Sequence, residues 1–426
     1  MFKNSFIKPL IAPVLFLLIM IAFFSCKKDS PVEPEKSRNN WQEPTENVNG
    51  SITEVEGIPL LTLWGSSYEQ GYAHGYLYAP EIIEYADKEI SQDGFVELYE
   101  NILLPNIDKY TVPEEYMQEM QGLLDGMEAR AGGAVYLGAV DRTLTINDII
   151  ISTCMDNIEH ILNTHCTSFC AWDALTVDGN PITGRNYDHP DNEIYTGRYI
   201  FIVRKPAPES GRPAWISITL PGGLDGDTGM NSEGVTLATQ EVNLVRDYSS
   251  SEGFCPENLL YRKLLESARA SSVINDVSSV LQDLYTHGGE AILMSWPSGQ
   301  GHCSAVFEID GDLNTGHGLT VRQSETGFPY MIQTNQFYER LEPSDSYRYS
   351  LIKDRLDGIF TGDYSSLTVD DAWEILEQVP AGGNLIIQHS IVFEPDKMLM
   401  HVAFSENGNH APACRKITLN VNELLQ

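Results

Sequence analysis

The sequence predicts an α+β fold in which long antiparallel strands carry helices on both faces. Three features support this: a helical first block, a change to short strands at Thr164, and two later pairs of helices within the strand series. Alternating βαβ units would read differently. This order fits layers.

Ser66 and Ser67 can cap a helix whose apolar residues Tyr72, Leu77, Ile82 and Ile83 mix with charges to about Ile90. A second helix, Pro113–Arg130, starts with Pro-Glu-Glu, where the helix dipole favours negative charge. Asn147–His160 is a third. Strands over Ser168–Thr176 and Ile182–Asn186 flank Val177-Asp178-Gly179-Asn180, a hairpin signal. Tyr199–Arg204 and Ala214–Leu220 flank a Pro/Gly-rich loop. Val235–Glu241, Ala291–Ser295, Ala305–Ile309, Leu319–Arg322 and Tyr330–Gln333 continue the series. Helices are expected over Pro256–Ala270, from Ser271 to about Tyr285, over Asp345–Phe360 and over Thr368–Val379. Strands near Leu385–Phe393 and Met398–Phe404 end the fold.

Lys3 and Lys8 precede an uncharged apolar run, Leu10–Phe24, and Phe24-Ser25-Cys26 ends it with a small residue before a cysteine. Residues 1–25 therefore read as a signal peptide rather than a membrane span. The ending resembles a bacterial lipoprotein box, which implies acylation of Cys26 and a lipid-anchored protein of the cell envelope, at the outer membrane, periplasmic or surface-exposed. Residues 26–50 are polar and Pro-containing, and are expected to form a flexible tether.

The formal net charge is −33, and −35 once Lys3 and Lys8 leave with the signal. Such a surface repels phosphates and offers no basic stripe, so nucleic-acid partners are not expected. Seven cysteines in 426 residues are too few for a disulfide scaffold. His165, Cys166, Cys170 and His189 match no zinc spacing, so no metal is expected.

His165-Cys166-Thr167-Ser168-Phe169 opens one strand of the hairpin, and Gly184-Arg185-Asn186-Tyr187-Asp188 closes the other. A thiol beside a fixed positive charge becomes a nucleophile at neutral pH. With a two-residue turn at Asp178-Gly179, Cys166 pairs with Asp191 and Arg185 shares its face. That register leaves the face of Asp188 open. Cys170 is the alternative nucleophile.

These motifs resemble the N-terminal nucleophile (Ntn) hydrolases of the choloylglycine hydrolase, acid ceramidase and penicillin acyltransferase (peptidase C45) group. Gly65-Ser66-Ser67-Tyr68-Glu69-Gln70-Gly71 with His74-Gly75 is similar to the opening of the C45-type propeptide. Gly229-Met230-Asn231-Ser232-Glu233-Gly234-Val235, Gln333-Thr334-Asn335-Gln336-Phe337 and Ser346-Tyr347-Arg348 resemble further family motifs, and Leu399–Phe404 with Ala411-Pro412 its terminal strand and tail. The resemblance implies a four-layer αββα sandwich. It also implies a helical α-chain or propeptide over 51–165 and a catalytic β chain over 166–426, which remain associated after self-cleavage.

By the same resemblance Cys166 is the nucleophile and its freed α-amine the base. Arg185 stabilises the thiolate, Asp188 holds the amine, Asn335 donates to the oxyanion and Arg348 completes the polar network. The second oxyanion position falls on Glu241, as in acid ceramidase. A carboxylate cannot donate unless protonated, so a backbone N–H is the expected substitute. No cofactor is implied. The activity implied is hydrolysis of a linear, non-peptide amide in a small N-acyl substrate, or acyl transfer. A papain-like enzyme pairing Cys166 with His389, and a lipid- or glycan-binding protein on an inactive scaffold, are the other readings.

Overall fold

A β-hairpin comes first: β1 (Gly50–Val55) and β2 (Ile58–Gly65). Then come α1 (Ser67–Ile90), α2 (Phe95–Leu98), α3 (Glu114–Ala131), a small hairpin of β3 (Tyr136–Leu137) and β4 (Arg142–Thr143), and α4 (Ile146–Ser152). Six strands follow: β5 (His165–Ala171), β6 (Ile182–His189), β7 (Ile200–Pro206), β8 (Trp215–Thr219), β9 (Thr228–Asn231) and β10 (Thr236–Val245). After α5 (Glu257–Ser267) and α6 (Val273–Asp283) come β11 (Gly288–Ser295), β12 (Ser304–Ile309), β13 (Thr320–Gln323) and β14 (Tyr330–Gln333). The chain ends with α7 (Tyr347–Thr361), α8 (Val369–Gln378), β15 (Ile386–Glu394), β16 (Leu399–Phe404), β17 (Lys416–Asn420) and α9 (Val421–Leu425).

This is a computed structural model. It describes residues 38–426 apart from 93, 155–164, 246–252, 285, 287, 301, 311–317, 325–326 and 341–345. The expected signal peptide, Cys26, and the end of the expected helix Asn147–His160 lie outside the described residues. No helix among the described residues is long and apolar enough to cross a membrane.

The strands form two large sheets. One has nine strands in the order β1-β2-β7-β8-β9-β10-β11-β12-β13, the other six in the order β14-β5-β6-β15-β16-β17. Their inner faces meet through Leu60, Phe201, Ile216 and Met230 on one side and Ile391, Phe393, Met400 and Val402 on the other. Helices α1, α3, α5 and α6 cover the nine-stranded sheet, with Ala73, Tyr116, Leu259 and Val277 against Leu61, Ile202 and Trp215. Helices α7 and α8 cover the six-stranded sheet, with Ile352, Leu356, Trp373 and Leu376 against Phe169, Ile182 and Ile387. Each large apolar side chain among these contributes about 1.5–3 kcal/mol when fully buried. The result is the four-layer αββα sandwich.

The N-terminal segment is more than a helical block. β2 runs parallel to β7, so residues before β5 complete the edge of the larger sheet. Residues 38–50, expected as part of a tether, are held. Gln42 N–H donates to the Arg130 carbonyl (2.9 Å), and Tyr76 Oη accepts from the N–H groups of Thr45 and Glu46. These long-range bonds have no local sequence signal.

Helix α1 begins with a reciprocal cap. Glu69 N–H donates to Ser66 Oγ, and Ser66 N–H donates to the Glu69 carboxylate at 2.8 Å. Further along, Gly71 and Gly75 of α1 meet Gly122 and Gly126 of α3. A Cβ on Gly75 would stand 2.0 Å from the Leu123 carbonyl oxygen, and one on Gly126 2.2 Å from that of Tyr72. Spacing of four puts each pair on one helix face, and the two backbones touch there. Below this seam, buried Glu119 of α3 accepts from Arg204 of β7 and Arg262 of α5, and Glu266 accepts from Arg262 and Arg212. The N-terminal helices are thus pinned to the sheet by paired buried charge. Losing one partner of such a pair costs about 3–5 kcal/mol.

Gly75→Ala should lower stability by about 1–3 kcal/mol in chemical denaturation, because the methyl group collides with backbone. Gly133→Ala, where a Cβ meets nothing within 4 Å, should leave the midpoint unchanged. Equal behaviour of the two variants would contradict the close seam.

Candidate active site

The hairpin β5–β6 sits inside the six-stranded sheet, between β14 and β15. Cys166 pairs with Tyr187, Ser168 with Arg185 and His165 with Asp188. The expected partner of Cys166, Asp191, is therefore replaced by a residue four positions earlier. The cause is the connection. β5 stops at Ala171, and a 3-10 turn at Asp173–Leu175, closed by Asp173 N–H to the Gly179 carbonyl, lengthens the loop. An even shift keeps every side chain on its face. Arg185 stays on the Cys166 face, and Asp188 falls on the other.

Arg185 is fully buried, and its Nη2 lies 3.9 Å from Cys166 Sγ. The guanidinium donates to Asp227 Oδ2 (3.1 Å), the Asp227 carbonyl, the Thr239 carbonyl (2.9 Å) and Thr239 Oγ1. A buried charge of this kind persists only when paired. Asp227 and Thr239 are the residues missed by sequence reasoning. Their one legible signal is the acidic Asp225-Gly226-Asp227 run just before the Thr228-Gly229-Met230-Asn231 motif.

A second cluster gathers around the backbone of Cys166. The Cys166 N–H donates to Asn335 Oδ1 at 2.7 Å, and Arg348 Nη2 donates to the same oxygen at 2.9 Å. Arg348 Nη1 also reaches Thr167 Oγ1 (3.0 Å), the Cys166 carbonyl (3.3 Å) and Asp188 Oδ2 (3.4 Å). Gly382 N–H donates to Asp188 Oδ2 at 3.0 Å, while Asp188 Oδ1 is buried with no hydrogen-bond partner among the described residues. Asn335 Nδ2 donates to the backbone carbonyl of Glu241 at 2.8 Å. Cys166, Arg185, Asp188, Asn335 and Arg348 thus meet in one place. Glu241 meets Asn335 through its carbonyl.

Electrostatics match the geometry. Burial pushes the Cys166 thiol up to about 12 against the pull of Arg185. Burial also pushes the Asp188 carboxyl up to about 7, against Arg348 and the Gly382 N–H. The resting thiol is therefore protonated, and a base must remove its proton. His389 is badly placed for that. It lies on β15, two strands from β5, about 10 Å away at normal strand spacing. Its ring stacks on the intervening Tyr187 at 4.6 Å between ring centroids, and burial holds it well below the usual histidine range. Cys170 also faces the space between the sheets, among Met331, Phe337 and Leu293, in an apolar cluster. Among the described residues no two cysteines form a disulfide.

On the Cys166 face, Tyr187 opens onto a cavity that is partly open to solvent. Ile82 and Ile83 of α1, Leu123 and Met127 of α3, Ile149 of α4 and Leu224 form much of its apolar wall. Both the N-terminal segment and the sheets after Cys166 contribute to it.

Fold and site together define an αββα sandwich with a buried cysteine–arginine pair on its central hairpin. No protein-family model matches the chain. It is 24% identical over 377 residues to an uncharacterized protein of Archaeoglobus fulgidus, a match covering 77% of this chain and 59% of that protein. The chain therefore spans less than two thirds of that relative. Among solved structures, a Caenorhabditis elegans N-acylethanolamine-hydrolyzing acid amidase ortholog matches with a TM-score of 0.40 and 15% identity, over 60% of this chain and 100% of the other. A mutant of conjugated bile acid hydrolase from Clostridium perfringens matches with a TM-score of 0.42 and 13% identity, over 61% and 94%.

The raised Asp188 fixes a sign for the pH dependence of stability. Its folded value lies above the ordinary aspartate value of 3.8, so its contribution is full below that value and is lost as pH rises through about 7. Asp188→Asn should remove this loss, and the wild type should fall relative to the variant between those limits in pH-dependent denaturation. Parallel curves would show that the carboxyl ionises in the folded chain as it does in water.

Proposed function

We propose that this protein is a cysteine Ntn hydrolase that cleaves linear amide bonds of N-acyl substrates through a thioester on Cys166. Before that, it cuts its own chain between His165 and Cys166. One observation carries the reading. The Cys166 backbone nitrogen is bonded to Asn335 Oδ1 inside the site, while its thiol lies 3.9 Å from the buried Arg185. A single residue then supplies the nucleophile and the nitrogen that becomes its base.

In self-cleavage, Sγ attacks the His165 carbonyl carbon, the C–N bond breaks and a thioester forms. The thiol proton goes to the departing nitrogen. Water then hydrolyses the thioester, releasing the His165 carboxylate and regenerating the thiol. The freed α-amine has an ordinary pKa of ~8, so on the order of a tenth of it is unprotonated at neutral pH and available to take the thiol proton as Arg185 offsets the cost of the buried thiolate. Arg185 stabilises the thiolate, held in place by Asp227 and Thr239. Asp188 lies beside the Cys166 backbone, and its Oδ1, open among the described residues, can receive the α-ammonium.

Turnover repeats the chemistry on a bound amide. The thiolate attacks the acyl carbon, and the α-ammonium returns its proton to the leaving nitrogen. Water, deprotonated by the same amine, then releases the acid. Asn335 Nδ2 is the side-chain donor for the oxyanion: one N–H bonds the Glu241 carbonyl, and the second can serve the oxyanion. Loss of one such donor costs on the order of 10²–10³ in rate. The apolar cavity beside Tyr187 suits the acyl part. The lipoprotein-like sequence around Cys26 supports attachment to the cell envelope through a lipid.

Intact-mass measurement of the purified protein should find a chain beginning at Cys166, still associated with the N-terminal one. Cys166→Ala should remain uncut at that bond and should release no amine from N-acyl amides. Cleavage or turnover that survives in Cys166→Ala would sink the mechanism.

A further inference from the structure

Most polar groups around the cavity are satisfied. Asp148, for example, accepts from both guanidinium nitrogens of Arg142 (2.7 and 2.8 Å), from Thr145 and from Tyr99. Two oxygens differ. Asp225 accepts from Thr219 Oγ1 through Oδ2 (2.9 Å), but its Oδ1 is buried with no hydrogen-bond partner among the described residues. Asn258, on the first turn of α5, is 8% exposed, and its Oδ1 is in the same condition. Both residues line the cavity.

They also lie on the same side of it. Asn258 and Arg262 are four apart and share a face of α5. Gly226 packs so tightly there that a Cβ on it would stand 3.0 Å from the Arg262 Cα. The loop bearing Asp225 therefore rests against the Asn258 face of the helix. Two residues further on, Asp227 holds Arg185, so this loop links the cavity wall to the nucleophile.

A buried acceptor left without a partner is destabilising, and a carboxylate more so. A ligand that donates hydrogen bonds there would satisfy them. We propose that Asp225 and Asn258 form a specificity subsite that reads a hydrogen-bond donor, a hydroxyl or an ammonium group, on the acyl part of the substrate. This rests on the N-acyl amidohydrolase reading given above. A site built to bond a donor discriminates against the analogue lacking it far more strongly than an apolar pocket discriminates between alkyl groups.

The test is calorimetric binding of free carboxylic acids, which the enzyme cannot consume. A plain saturated fatty acid is compared with hydroxylated and amino-substituted acids of the same length, each as a set of positional isomers. At least one donor-bearing acid should bind the wild-type protein about tenfold or more tightly than the plain acid. Asp225→Ala should erase that preference, and Asn258→Leu should reduce it. Burial and the neighbouring Asp227 raise the Asp225 carboxyl, so the comparison is made on the alkaline side where it is ionised. There Asp225→Asn keeps an acceptor but loses the charge, and it should retain a hydroxyl preference and lose an ammonium preference, which identifies the donor. Equal binding of plain and donor-bearing acids, or a preference untouched in all three variants, overturns the subsite. Failure of the wild type to hydrolyse any N-acyl amide overturns the amidohydrolase reading instead, and the binding result stands apart from it.

Discussion

A buried guanidinium under a buried thiol is the constraint on which the rest of the site depends. Arg185 has no exposure to solvent, so its charge must be matched inside the protein. Asp227 and Thr239 do this from the loop before β9 and from β10, both in the opposite sheet. Arg185 itself comes from the six-stranded sheet. The ion pair therefore crosses the sandwich, while Arg185 and Cys166 sit on adjacent strands of one sheet.

The second constraint is the convergence on the Cys166 backbone. Asn335 follows β14 and Arg348 lies on α7, while Asp188 ends β6 and Gly382 precedes β15. Asn335 and Arg348 bond the Cys166 backbone directly, Asp188 joins through Arg348, and Gly382 through Asp188. In the uncut chain the Asn335 oxygen accepts from Cys166 and Arg348, and one of its two N–H groups donates to Glu241. Under the proposed mechanism, breaking the bond before Cys166 turns an amide N–H into an amine and frees this network to rearrange. The seam between α1 and α3 and the charges around Glu119 would then hold the N-terminal chain in place, with its helices still forming the cavity wall.

Much of the architecture is legible because hydrophobic periodicity and turn residues carry it. Tyr330–Gln333 is the strand the sequence indicates, and Ser66 caps α1 as its spacing with Glu69 implies. The strands that the sequence does not announce have weak patterns. β1 is exposed along most of its length, β9 contains Gly229, and β17 is five residues with alternate positions open to solvent. The expected hairpin register differs by four residues because the 3-10 turn after Trp172 is not encoded in the Asp-Gly signal. Cys166 and Arg185 can be paired on one face from alternation alone. Asp227, Thr239 and Gly382 cannot, because they reach the site through tertiary packing, where local sequence gives no distance.

The most direct measurement is mass spectrometry of the protein quenched in acid during turnover of an N-acyl amide. The expected result is an acyl group bound as a hydroxylamine-sensitive thioester on Cys166, in a peptide whose α-amine is free. An acyl group on Cys170, or on Cys166 in a peptide that still reads through from His165, would contradict the claim that one residue serves as nucleophile and base.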